Sequence, residues 1–224
     1  MAGDNRKQLD HSWRVNAQAW ARAVRERRIE SRRLATDQAL VDAVLACRPA
    51  RVLDLGCGEG WLGRALAKEG LAVLGVDASA SLVELARAEG GEFQCLTYDQ
   101  LQANPCQFGR FDLVVCNFSL LDEVLEPCLI ALRQTLTDPG RLLIQTVHPW
   151  QARGREGYRD GWRQEDFAAF GGAFPAPMPW YFRTLASWSE LLERSGYRIQ
   201  RLREPAHPES GEPLSLLLEV TSAT

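Results

Sequence analysis

From Arg51 onward, short apolar runs alternate with stretches whose apolar positions recur every three or four residues, the pattern of strands joined by helices. The runs Arg51–Leu55, Ala72–Asp77, Glu92–Thr97, Phe111–Asn117 and Arg141–Val147 are short enough for strands and apolar enough to be covered on both faces, which predicts a parallel sheet. Helical spacing between them runs through Leu62 and Leu66. A second helix opens with the capping pattern Ser81-x-x-Glu84 and stops at Gly90-Gly91. A longer one covers Asp122–Leu136 and ends in a turn at Asp138-Pro139-Gly140. The alternation then pauses. Residues 149–182 hold nine of the 19 aromatics together with Gly171-Gly172, Pro175, Pro177 and Pro179, and read as a functional insertion or lid.

Helical spacing resumes with Leu185, Trp188, Leu191 and Leu192, is stopped by Gly196, and leads into two final runs, Tyr197–Glu204 and Leu214–Val220. The link between those runs is too short for a crossover helix, so the pair is predicted antiparallel. Upstream, Trp13, Ala17, Trp20 and Val24, then Leu40, Val41, Val44 and Leu45, predict two leading helices. The expected fold is an α/β domain spanning 1–224: a mostly parallel seven-stranded sheet, helices on both faces, an antiparallel C-terminal hairpin and two N-terminal helices. Its parts are a helical cap (1–48), a core (51–147), the aromatic insertion (149–182) and a closing helix and hairpin (184–220).

A length of 224 residues with 46% hydrophobic content suffices for one core that buries roughly 70% of the unfolded chain's surface. The net charge of −3 supplies no field to hold a polyanion, which argues against DNA as a partner. The polar start Met1–Lys7, and the lack of any stretch near ~20 apolar residues, predict a cytoplasmic protein with no membrane partner. Six scattered cysteines and three histidines spell neither a metal site nor a disulfide framework. Charge is uneven, however: residues 1–48 carry ten Lys/Arg against six Asp/Glu, and Arg22–Arg33 alone holds six arginines. Most of these fit a solvated helix face.

The stretch Val52-Leu53-Asp54-Leu55-Gly56-Cys57-Gly58-Glu59-Gly60 is a buried strand running into a glycine turn, a place where a ligand can approach the backbone. Two cofactor classes compete for it. Gly58-x-Gly60-x-x-Gly63, with Asp77 19 residues beyond Gly58, matches a dinucleotide fingerprint and keeps an NAD-dependent oxidoreductase open. Against it, Gly63 falls inside the following helix, and Asp54 would repel a pyrophosphate while suiting an ammonium group. The spacing that fits the turn is Gly56-x-Gly58-x-Gly60.

An acidic residue followed by Gly-x-Gly-x-Gly resembles the first motif of the class I S-adenosylmethionine-dependent methyltransferases, and the resemblance extends from Arg51 to Val147 with the closing helix and hairpin in agreement. It implies S-adenosyl-L-methionine as cofactor, the methionine end at Asp54, Gly56, Cys57 and Gly58, and the ribose hydroxyls on Asp77, beside Ala78. It further implies Asp99 at the adenine amino group, with Tyr98 or Leu101 near the ring, and Asn117 and Phe118 along the methyl-transfer opening. The bland readings are a helix N-terminal anion for Asp54 and an N-cap for Asp77.

The reaction implied is in-line transfer to a small-molecule acceptor. Asn117-Phe118-Ser119-Leu120 lacks the Pro-Pro-aromatic sequence that the family uses on exocyclic and amide nitrogens, which counts against DNA adenine or glutamine substrates. His148 is the candidate base, set extended by Pro149 at the end of the fifth strand. Trp150, Tyr158, Trp162, Trp180, Tyr181 and Arg183 are candidate acceptor walls. Trp20 is expected to close over the cofactor, with one or more of Arg25, Arg32 and Arg33 on a cofactor or substrate carboxylate. A cofactor-binding protein without turnover is the non-enzymatic alternative, marked by a plugged acceptor cavity.

Overall fold

A computed structural model describes residues 2–171 and 174–223, with side chains from Asp4 onward. The strands β1 (Arg51–Leu55), β2 (Ala72–Asp77), β3 (Glu92–Cys95), β4 (Phe111–Asn117), β5 (Leu136–Val147), β8 (Tyr197–Arg203) and β9 (Ser215–Ser222) form one sheet in the order β3-β2-β1-β4-β5-β9-β8. The first five are parallel, and β9 runs antiparallel to both β5 and β8. Strand period two explains why both faces are apolar. Leu53, Leu55, Val114 and Cys116 point to one face, under α5 (Tyr98–Ala103), α6 (Glu126–Thr135) and α7 (Leu185–Arg194). Val52, Leu113 and Val115 point to the other, under α2 (Asp37–Cys47) and α3 (Trp61–Lys68).

Several boundaries depart from expectation for local reasons. The helix α4 (Ala80–Ala88) is capped by Ser79, whose hydroxyl accepts from the Leu82 N–H, so Ser81, the predicted cap, is instead the second residue of the helix. β3 stops at Cys95 because Thr97 and Gln100 form a capping box that starts α5. The helix expected over Asp122–Leu136 begins only at Glu126. Asp138-Pro139-Gly140 is an excursion within β5: Phe111 pairs with Leu136, yet Leu113 pairs with Arg141.

The insertion is a two-stranded antiparallel ribbon, β6 (Gly161–Glu165) and β7 (Met178–Phe182). Against it lies α1 (Ala2–Arg25), whose Asn16 donates to the Ala176 carbonyl at 2.6 Å and accepts from its N–H at 3.2 Å. Leu9, Phe167 and Met178 form a small apolar cluster between them, with Trp13, Trp20 and Trp180 packed on it. The ribbon is also tied to the loop after β4: the Tyr181 N–H donates to Leu121 at 2.8 Å, and Arg183 donates to the carbonyls of Asp122 and Glu123. Among the described residues, no helix is long and apolar enough to cross a membrane, no group of side chains is placed to hold a metal ion, and all six cysteines are free.

Candidate active site

The chain passes from β1 outward to β2 and β3, then returns to β4 on the other side of β1, so a crevice opens above the carboxyl ends of β1 and β4. A cavity of about 670 Å³ occupies that position. Its floor is the turn after β1. The N–H groups of Gly56 and Cys57 donate to the Val76 carbonyl at 2.7 and 3.0 Å, fastening the turn to the end of β2. Gly56 has φ +77°, and a Cβ there would lie 2.2 Å from the Ser119 Cβ, so only glycine fits. At Gly58 a Cβ would meet the Trp20 indole nitrogen at 3.6 Å, which puts Trp20 directly over the turn.

Asp77 accepts from the Gly58 N–H at 2.9 Å on one carboxylate oxygen and from the Ser79 N–H at 2.8 Å on the other. Both oxygens are thereby aimed and still hold lone pairs for a ligand's hydroxyls. Burial pushes this carboxyl up, and the two backbone donors pull it back down. Asp54 is harder to account for by folding alone. It is 1% exposed, its Oδ2 is buried without a partner, and loss of hydration, with repulsion from Asp77, pushes its carboxyl up to about 7 while Arg32 opposes the rise.

Arg32 supplies the complementary anomaly. Its Nε donates to Asp37 at 2.9 Å and its guanidinium lies 4.6 Å from the Trp61 ring, but Nη2 is buried without an acceptor. A carboxylate and a guanidinium that each keep one buried atom without a partner among the described residues, on two residues lining one cavity, match the ammonium and carboxylate of a free amino acid. The floor thus fits an amino-acid group beside a hydroxyl-bearing one.

The remaining predicted positions divide cleanly. Asp54, Gly56, Cys57, Gly58, Asp77, Ala78, Tyr98, Asp99, Asn117, Phe118, Trp20, Arg32 and Trp180 all line the cavity. The Tyr98 hydroxyl donates to the Ser119 carbonyl at 2.7 Å, while Asp99 is exposed and ion-paired to Arg6 at 3.0 Å. Asn117 accepts from Gln145 at 2.8 Å through its side-chain oxygen, leaving its NH₂ unengaged.

His148, Trp150, Tyr158, Tyr181, Arg33 and Arg25 are not brought to the cavity lining. The His148 ring turns away to Glu204 at 2.8 Å, so the expected base does not reach the site. Trp150 is exposed beneath Arg153, and the Tyr158 oxygen accepts from the Leu185 N–H. Tyr181 falls on the wrong face of β7: Met178 and Trp180 point into the cavity, and strand alternation sends Tyr181 outward against Trp162. Trp162 and Arg183 likewise serve the ribbon's attachment to Glu123 and Asp122. Arg33 is exposed beside Glu30, and Arg25 is spent on Glu59 (3.0 Å) and Glu89 (3.2 Å).

Sequence reasoning missed the contribution of α1 beyond Trp20. Arg6, Leu9, Asp10, Trp13 and Arg14 also line the cavity, as do Glu165, Phe167, Phe170 and Met178 from the insertion. The helical stripe Trp13–Ala17–Trp20–Val24 is visible as periodicity, but periodicity does not distinguish a core stripe from a cavity wall. Glu165 carried no signal.

Residues 25–202 match the model of a family described as "Methyltransferase domain", and the chain belongs to that family. This removes the nicotinamide alternative, and Gly63 accordingly sits within α3, packed near Phe93. A ubiquinone biosynthesis O-methyltransferase of Xanthomonas oryzae pv. oryzae (strain PXO99A) is 34% identical over 116 residues, 48% of this chain and 47% of that protein. One from Xylella fastidiosa (strain 9a5c) is 35% identical over 107 residues, 44% and 42% of the two chains. Each alignment thus spans about half the length of these curated relatives.

Among solved structures, a 1,6-didemethyltoxoflavin-N1-methyltransferase of Burkholderia thailandensis, with 1,6-didemethyltoxoflavin and S-adenosylhomocysteine bound, superposes with a TM-score of 0.69. That match has 20% identity and covers 100% of this chain and 91% of the other. An S-adenosylmethionine-dependent methyltransferase of Mesorhizobium loti gives 0.61 at 24% identity, covering 80% and 96%. These similarities place the fold.

Proposed function

We propose that this protein binds S-adenosyl-L-methionine on the floor of the cavity and transfers its methyl group to a small molecule enclosed under α1 and the β6–β7 ribbon. The observation that carries this reading is a pair of cavity-lining residues, Asp54 and Arg32, whose buried Oδ2 and Nη2 have no partner among the described residues, beside an Asp77 whose oxygens are already oriented. Asp54 holds the ammonium, Arg32 the carboxylate and Asp77 the ribose hydroxyls. Tyr98 and Leu96 border the adenine, with Asp99 at the rim. Bound there, the cofactor supplies an electrophilic methyl group to an acceptor aligned for in-line displacement.

The chain's part is alignment and exclusion of water. Trp20 covers the glycine turn, Asn117 and Phe118 flank the opening between the two halves of the cavity, and the apolar wall of Leu9, Trp13, Phe167, Met178 and Trp180 keeps the acceptor side dry. That side is open space within the cavity rather than a plug, which favours turnover over a purely sensory role. The named activities of the relatives, on a ubiquinone precursor pathway and on a toxoflavin precursor, support a small organic acceptor.

The test is calorimetric titration with S-adenosylhomocysteine, followed by incubation of labelled S-adenosylmethionine with fractionated lysate. Label in small molecules supports the reading; label in protein or RNA alone refutes the acceptor class.

A further inference from the structure

The acceptor half of the cavity has a charge pattern that the cofactor does not use. Arginines cover other tryptophans of this chain: Arg32 lies over Trp61 on the cofactor side of the cavity, Arg153 over Trp150 and Arg183 over Trp188. Trp13, Trp20 and Trp180, which line the cavity, carry no such cation among the described residues. Their neighbour Glu165 accepts only the Phe167 N–H, at 2.7 Å on Oε1, and forms no ion pair among the described residues. Of the cationic lining residues, Arg6 lies between Asp99 (3.0 Å) and Asp122 (3.4 Å), Arg32 pairs with Asp37 (2.9 Å) on the cofactor side, and Arg14 donates to His11 and keeps its charge. What remains is a half-enclosed wall of indole rings beside a carboxylate without an ion pair among the described residues, an environment that stabilises positive charge.

The geometry points to an acceptor that becomes cationic as it is methylated: a primary or secondary aromatic amine, with its nitrogen among Trp13, Trp20 and Trp180 and its N–H toward Glu165. This rests on the methyltransferase reading and narrows it from any small molecule to a nitrogen nucleophile. The nitrogen lone pair forms the new bond to the methyl carbon, the carbon–sulfur bond breaks with its electron pair remaining on sulfur, and the N–H proton passes to Glu165 and then to solvent. The lone pair of such a nitrogen is free at neutral pH, so no strong base is required. A phenol, ionising near ~10, asks more of a carboxylate than Glu165 offers.

The test uses the full chain saturated with S-adenosylhomocysteine, titrated calorimetrically with N-methylquinolinium, with its neutral isostere 1-methylnaphthalene, and with 2-naphthol. The cation is expected to bind about 10-fold tighter than its isostere, a preference that desolvated cation–π contacts supply. Glu165→Gln should weaken the cation about 10-fold while leaving S-adenosylhomocysteine affinity unchanged. Trp180→Leu should lower the ratio between the isosteres without abolishing cofactor binding. Equal binding of the isosteres, tighter binding of 2-naphthol, or no binding of N-methylquinolinium overturns the inference. Failure of S-adenosylhomocysteine itself to bind overturns the reading beneath it instead.

Discussion

The floor and the roof of the cavity are built on different principles. On the floor, main-chain atoms set the positions: Gly56 and Cys57 are fastened to Val76, Gly58 and Ser79 to Asp77, and the sheet beneath fixes their spacing. The roof is held by side chains. Arg6 at one end of α1 pairs with exposed Asp99 and with Asp122, Arg25 at the other end reaches Glu59, Glu89 and the Leu85 carbonyl, and aromatic edges fill the space between. The exposed pairs among these, Arg6–Asp99 and Arg25–Glu89, contribute about 0–1 kcal/mol each, far less than the sheet ladder as a unit. On the proposed function, the more weakly tied roof is the part expected to yield when the cofactor is exchanged.

The comparison breaks most readily at Asp54. Asp54→Asn should weaken S-adenosylhomocysteine binding on the order of 100-fold, because it strips a buried ligand ammonium of its counter-charge. The same change should raise the thermal midpoint of the ligand-free protein near neutral pH. With a folded pKa of about 7 against an ordinary 3.8, the folded state holds the proton more tightly. The stability this carboxyl contributes is therefore fully present below 3.8 and is lost as pH rises through about 7. The asparagine variant should show no such loss, and its advantage should disappear in acid.

Asp77→Ala comes next. It should cost about 30-fold in cofactor affinity, since it removes the ribose acceptor and frees the Gly58 and Ser79 amides. Titration of the purified variant reads this directly. The roof should respond more mildly: Arg6→Ala should change cofactor affinity only a few-fold while speeding hydrogen exchange in the first turns of α1, with β1 and β4 unaffected. Uniform exchange rates across roof and floor would erase the distinction. Smallest of all, His148→Gln should leave cofactor affinity and turnover within about twofold, because its ring faces Glu204 rather than the cavity. A large loss of turnover would return His148 to the chemistry.

The same division governs how much was legible in the sequence. The strands, the antiparallel pair and the floor residues follow from local rules: a glycine with positive φ at a fixed offset after a buried strand, and an acid at the end of the next. The roof follows from docking between segments some 160 residues apart, such as Asn16 against Ala176, which no local pattern encodes. Trp180 was identifiable as an aromatic in an insertion, but whether it or Tyr181 faces the cavity depends on the register of a ribbon fixed by its partner strand. His148 illustrates a related limit, since its place at a strand end is right and its orientation is set by Glu204, 56 residues later. Arg32 was one of three equivalent arginines in the sequence. Only packing against Trp61 and Asp37 separates it from exposed Arg33.

The most direct test of the central claim is calorimetric titration of the protein and its Asp54→Asn variant with S-adenosylhomocysteine, run just below pH 7 in buffers of different ionisation enthalpy, with NAD as the control ligand. The account predicts saturable binding to the unaltered protein alone, coupled to release of a proton from Asp54, and no saturable NAD binding. Equal binding to both proteins, or binding of NAD in place of S-adenosylhomocysteine, would contradict it.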